Sequence, residues 1–204
     1  MRTNHPSRLL ADLACEASGT AWAELDLRYR SALIGFAERL GASRVDAEEI
    51  TQDSFAAFVG ACRMGRYDPT AGSLSGWLFA LVRDRVRQNW RRNAVRNVAR
   101  GESALAEVED DAHLSEVWDA EWRGAILREG LRRLREESGL APRSLAAFEG
   151  VALEGRDAGV LASELGMTVN AVYQAKFRAL ERLRVIVVAL ECADHVAAAG
   201  EARP

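Results

Sequence analysis

Three clusters of side chains carry the chemical content of this 204-residue chain. The first lies in DAEEITQDSFAAFV, residues 46–59. At 100° per residue, Ile50, Phe55, Phe58 and Val59 share a broad apolar side. Asp46, Glu49 and Asp53 gather opposite, flanked by Gln52, with no Lys or Arg among them. Asp46 and Glu49 fit a D-x-x-E capping arrangement, and acids favour a helix N-terminus. That accounts for two carboxylates. It leaves Asp53, two turns in, and Gln52; a basic or amide-rich partner helix would account for all four.

The second cluster lies in GSLSGWLFALVRDRVRQNWRRN. Trp77, Leu78, Leu81 and Val82 open a helix, and arginines then take over. Arg83, Arg87 and Arg91 recur at i, i+4 and i+8 and form one stripe, with Trp90 near its end. A loop bearing Tyr67 precedes it. This combination suits DNA whose strands are being separated: cations hold the backbone and aromatics stack on exposed bases. Trp77, beside Leu78 and Leu81, is expected in the core.

The third cluster is RDAGVLASELGMTVNAVYQAKFRALERLR. A short helix with Val160, Leu161, Ala162 and Leu165 is followed by Gly166, by Thr168 as a cap, and by a second helix with Val172 and Leu180 inside. Small Ala162 allows a close helix crossing. This is the spacing of a helix-turn-helix, whose second helix enters the major groove. Asn170, Tyr173, Gln174, Phe177 and Arg178 would face outward to read base edges, and Lys176 and Arg182 would reach phosphates. An ordinary helical hairpin with a solvated polar face has the same pattern.

All three clusters point to binding. There is no G-x-x-x-x-G-K-[ST], no H-E-x-x-H and no nucleophile with a base, so no enzyme is expected. Cys15, Cys62 and Cys192 are far apart and in no CxxC, and His5, His113 and His195 are equally scattered. No metal, disulfide framework or cofactor is expected. No apolar run approaches the roughly 20 residues that span a bilayer, and the N-terminus lacks the apolar core of a signal peptide. A soluble, cytoplasmic protein with no membrane partner is expected.

The net charge of −3 hides a segregation. Residues 83–100 hold seven arginines against Asp84, and residues 102–121 hold eight acids and no base. A polyanion-facing segment followed by an acidic linker is the natural reading.

The elements that must position these clusters are helices throughout. Helices are expected over residues 25–40, 46–63, 74–98, 118–137, 144–153, 157–165 and 169–190. The breakers are Gly41, the Asp68-Pro69 loop and SGLAPRS. An all-α fold follows: two small helical domains, residues 1–98 and 118–190, an acidic linker at 99–117, and a frayed tail at 191–204. The C-terminal domain carries the helix-turn-helix.

Taken together, the three motifs resemble bacterial RNA polymerase sigma factors of the two-domain extracytoplasmic-function type, over roughly residues 9–190. DAEEITQDSFAAFV is similar to the family's D-A-E-D-hydrophobic-x-Q-[DE]-x-F helix. RYDPTAGSLSGWLFALVRDRVRQNWRR is similar to its aromatic-D-P-x-x-G-x-hydrophobic-x-x-W-L segment and basic helix. EGRDAGVLASELGMTVNAVYQAKFRALERLR resembles its C-terminal helix-turn-helix. The resemblance implies a sigma factor that directs promoter recognition, melting and transcription initiation. Asp46, Glu49, Gln52 and Asp53 would dock on a coiled coil of the polymerase largest subunit. Tyr67 would help hold a flipped base, with Leu81 and Asp84 nearby. The second helix of the helix-turn-helix would read the distant promoter element. A cognate anti-sigma factor is common in the family. Asp84, Ala80, Val160 and Ala171 depart from the usual Asn, Arg, Glu and Thr, which bears on promoter preference. A stand-alone helix-turn-helix regulator is the alternative; it leaves the first two clusters as coincidence.

Overall fold

The computed structural model describes residues 19–68, 72–92 and 110–195. Among them there is no strand, and the fold is all-α. The helices are α1 Gly19–Arg39, α2 Arg44–Arg63, α3 Leu74–Arg92, α4 Asp111–Glu137, α5 Pro142–Phe148, α6 Ala158–Leu165 and α7 Val169–His195, with a π-helical turn at Glu149–Leu153 after α5. The chain divides into two compact units: residues 1–125 with 192–204, and residues 126–191.

The first unit is built on α1, α2 and α3, which pack against one another, with the start of α4. On α1, Leu25, Tyr29, Leu33, Phe36 and Leu40 are buried at helical spacing, so one stripe faces inward. The helix stops at Gly41, whose φ of 86° suits a residue without Cβ. The Ala42 N–H then bonds back to the Ala37 carbonyl at 3.0 Å, satisfying a terminal acceptor. On α3, Leu74, Leu78, Val82, Val86 and Trp90 are buried at intervals of four residues. Leu114 and Trp118 bring α4 onto the same core, where Trp118 meets Phe36 edge to face and stacks on Phe79.

In the second unit Leu134, Phe148, Ala179 and Leu183 form one apolar cluster and Ala147, Ala158, Ala162, Val172 and Ala175 another. The alanines let helices approach closely, as expected of Ala162. Gly150 does the same in the π-turn: a Cβ there would lie 2.6 Å from Leu161 Cδ1.

Several boundaries differ from those read in the sequence. The capping of α2 is done by Ser43, whose Oγ accepts from the Asp46 N–H at 3.1 Å and donates to the Asp46 carboxylate at 2.8 Å. Ser43 is therefore the N-cap, with the Asp46 carboxylate bonded to its hydroxyl, and Glu49 takes no part in the cap. α4 starts at Asp111, inside the span assigned to the linker, because Leu114 and Trp118 give that acidic stretch a buried side. Residues 93–98, expected to continue the arginine helix, and 99–109 of the linker lie outside the described residues. The tail is the third difference. α7 does not end at Leu190 but continues to His195, and Asp194 is buried.

Candidate polymerase and nucleic-acid interfaces

On α2, the buried residues Ala47, Ile50, Thr51, Ser54, Phe55 and Phe58 fix which side faces the core. Glu49, Gln52 and Asp53 are consequently exposed. None of the three makes a side-chain hydrogen bond or ion pair among the described residues. The neighbouring acids are already engaged: Asp46 with Ser43, and Glu48 with Arg44 at 2.8 Å. The sequence stripe of four thus becomes an open patch of three. Two like-signed carboxylates one turn apart repel each other slightly, and a cationic or amide partner relieves that repulsion.

α3 places Leu78, Val82 and Val86 inward, so Arg83, Arg87 and Arg91 share a more accessible side. They are not equivalent. Arg87 Nη2 lies 2.9 Å and Arg83 Nη1 3.3 Å from the same oxygen, Oδ1 of Asp111. Arg83 also reaches Asp84 at 3.3 Å and lies over the Phe79 ring. Arg91 is exposed and has no such partner among the described residues. Asp84 is exposed and Leu81 half-buried on this helix. Trp90, near the end of this helix, is core: it is buried and its Nε1 donates to the Leu40 carbonyl at 2.7 Å.

Tyr67 is half-buried, its ring edge-on to Phe58 at 5.3 Å and to Trp77 at 5.5 Å. Trp77 also meets Phe58, in keeping with its expected packing role. Burial pushes the Tyr67 phenol up to about 12, and its buried hydroxyl has no hydrogen-bond partner among the described residues. The Pro69–Ala71 part of its loop, residues 69–71, lies outside the described residues.

In the second unit, the Asp157 carboxylate caps α6 by accepting from the Gly159 and Val160 N–H groups. Gly166 closes α6 at φ 61° and ψ 43°, where a side chain is disfavoured. The Thr168 hydroxyl accepts from the Ala171 N–H at 3.1 Å at the start of α7. Val172, Ala175 and Ala179 face the core. Asn170, Tyr173, Gln174, Phe177 and Arg178 are exposed together, Tyr173 at 53 % and Phe177 at 65 %. Lys176 is half-buried, and Arg182 donates to the Ser138 carbonyl at 3.3 Å.

Two carboxylates with several partners escape a reading of motifs. Asp111 is one acid in an acidic run, and nothing in the sequence singles it out. Asp194 had a signal: it falls on the helical face of buried Leu183 and Leu190, so it is an acid at a core position. It accepts from the Tyr29 hydroxyl at 2.9 Å, from the Ser75 N–H at 3.0 Å and from the Ser75 hydroxyl. The Ser75 N–H belongs to the first turn of α3, where a carboxylate is favoured by the helix dipole. Burial, and then the facing Asp194, hold the Tyr29 phenol well above its ordinary value.

Among the described residues no helix is long and apolar enough to cross a membrane, and no cluster of His, Cys, Asp and Glu has a metal-holding arrangement. No curated protein matches the chain. Residues 25–96 match the family model of sigma-70 region 2. The match starts on α1 at Leu25 and takes in all of α2 and α3, the helices that carry the acid–amide patch and the arginine stripe. It covers roughly a third of the 204 residues and supports a sigma-70 family factor, a protein of transcription initiation.

Proposed function

We propose that the chain is a sigma factor of the two-domain extracytoplasmic-function type, and that its chemistry is binding. The observation that carries this reading is the region-2 match on the helices with the open acid–amide patch and the basic stripe. Glu49, Gln52 and Asp53 dock on core RNA polymerase, while Asp46 is engaged with the Ser43 cap that starts their helix. Arg83, Arg87 and Arg91 hold the backbone of the upstream promoter hexamer as its strands part. Tyr67, half-buried against Phe58 and Trp77, offers its exposed part to a base of the melted strand, with Leu81 and Asp84 beside it. Stacking and hydrogen bonds to extruded bases offset part of the unstacking cost.

The α6–turn–α7 segment acts as the helix-turn-helix. Its outward aromatics and Asn170, Gln174 and Arg178 suit a major groove, where amides and guanidinium read base edges and an apolar ring meets thymine methyls. Large exposed aromatics on a polar helix face are unfavourable unless a partner covers them.

Binding of the full chain to bacterial core RNA polymerase, without DNA, tests the reading. Fluorescence anisotropy should show saturable binding, and Asp53→Arg should weaken it by at least about tenfold by placing a cation against a basic surface. Unchanged affinity in a folded Asp53→Arg chain removes the docking role. Absence of binding by the wild-type chain removes the sigma-factor reading.

A further inference from the structure

The pairing of Arg83 and Arg87 on one oxygen of Asp111 ties two turns of α3 to the start of α4. Most surface ion pairs join one cation to one anion and contribute little. Here two guanidinium groups from successive turns of α3 converge on a single carboxylate oxygen. Arg83 and Arg87 retain only 28 % and 19 % of their side-chain exposure, whereas Asp111 is 68 % exposed. The arginines form a semi-enclosed fork, and the acid that fills it stands at the edge.

The fork is prearranged by packing around it. Phe79 lies one turn before Arg83 on α3 and stacks on Trp118 of α4 at 5.6 Å. Asp111, Leu114 and Trp118 follow at i, i+3 and i+7, one face of α4, with Leu114 and Trp118 buried. Moving along α3 from 79 to 87 corresponds to moving back along α4 from 118 to 111, so the two helices run antiparallel here. At the same helix end the Asp110 carboxylate accepts from the Ala112 N–H at 2.9 Å. Asp111 is thereby held at the first turn of an anchored helix.

Two planar guanidinium groups converging on one oxyanion is the arrangement that takes a phosphate. We propose that Arg83 and Arg87 form a binding fork for one phosphate of single-stranded DNA, and that Asp111 occupies this fork in the free chain as an intramolecular competitor. This rests on the sigma-factor reading of α3. DNA entering the fork displaces the carboxylate, whose exposed position lets it swing to solvent without unpacking Leu114 or Trp118. Arg91, further along the stripe, is left to make the first contact. The free factor is thereby discouraged from binding DNA at large. A strand held in place by polymerase overcomes the competition through its high local concentration.

The test compares full-length wild type, Asp111→Asn and Asp119→Asn. Asp119→Asn is a charge-matched control, because Asp119 is exposed on the same helix and pairs with neither arginine. The probe is a fluorescein-labelled single-stranded deoxyoligonucleotide, followed by anisotropy over a series of salt concentrations. Asp111→Asn should bind roughly 3- to 10-fold more tightly at low salt, with a slope of log affinity against log salt steeper by about 1. Asp119→Asn should remain near wild type. In a chain with Arg83→Gln and Arg87→Gln, Asp111→Asn should give no gain, the non-additivity expected of a shared contact. Equal affinity and slope for Asp111→Asn and wild type, an equal gain from Asp119→Asn, or no measurable binding by Asp111→Asn each overturns the proposal. If the wild-type chain still binds core polymerase in those cases, the clamp alone has failed. If it binds neither polymerase nor DNA, the sigma-factor reading has failed with it.

Discussion

Asp46 and Asp53 stand seven residues apart on α2, yet one is committed to the helix and the other is open. The difference lies outside the motif that contains them: Ser43, three residues before Asp46, makes the reciprocal pair of hydrogen bonds and absorbs one carboxylate. A stripe of acids is readable from sequence because it depends only on helical period. Which acid is spent on the cap was not, because Asp46 and Ser43 are both acceptable caps. Trp90, near the end of the arginine stripe, shows the opposite case, since its spacing from Val82 and Val86 already puts it on the buried side. Cys62 gives a residue-level prediction. Burial pushes its thiol from 9.0 up to about 11. The protonated form is favoured by folding, so its contribution to stability is complete below pH 9 and is lost as pH rises from 9 to 11. At pH 8 the folded chain should hold about 100-fold less Cys62 thiolate than the unfolded chain, and iodoacetamide should label it correspondingly more slowly. Peptide-resolved mass spectrometry of native and urea-unfolded samples checks this; equal rates would contradict the burial.

At the scale of elements, two glycines in helical segments have opposite roles. Gly150 is where Leu161, only 2 % exposed, lies against the π-turn backbone, and added methyl atoms would press on Cδ1, Cδ2 and Cγ at 2.6, 2.9 and 3.3 Å. Gly150→Ala should destabilise by about 1–3 kcal/mol and lower the thermal midpoint by about 2–4 °C per kcal/mol. Gly60 on α2 has nothing within 4 Å of a Cβ, so Gly60→Ala should be neutral or stabilising, up to about 1 kcal/mol, from helix propensity. Calorimetry of the two variants in the full chain reads both signs; a stable Gly150→Ala chain would mean that Leu161 can move aside. The helices α2 and α6 were legible because their apolar period runs between a capping residue and a glycine, Ser43 and Gly65 in one, Asp157 and Gly166 in the other. The start of α4 was not, since acids dominate its composition and only Leu114 and Trp118 mark the buried side. The π-turn was not either, because it continues the periodicity of α5 without a breaker.

At the scale of the whole molecule, the proposed function is a distributed one, with polymerase and melting contacts in the first unit and distant-element contacts in the second. Arg178→Ala should then reduce transcription from promoters that depend on that element. A lost bidentate base contact of about 1–3 kcal/mol corresponds to roughly 5- to 150-fold. Polymerase binding should be unaffected. Transcription assays with and without the upstream element separate these outcomes, and an unchanged promoter requirement would remove α7 from the readout. Two apolar sets were readable in the sequence, but the division between the units falls at residues 125 and 126, within α4, and not at the acidic 99–117 stretch, because Leu114 and Trp118 pack the start of α4 into the first core. The discontinuity of the first unit was not readable either, because it rests on one acid meeting a tyrosine and a serine more than a hundred residues away.

That discontinuity sets an order of events during synthesis. The Tyr29 hydroxyl and the Ser75 N–H emerge from the ribosome early, but the carboxylate that satisfies them is residue 194. The helices that match region 2 can collapse as they appear, yet these two buried polar groups stay open to water until residue 194 has been translated. Completion of the first unit thus waits on the C-terminal end of α7, and a nascent chain stalled before it carries an unfinished first unit.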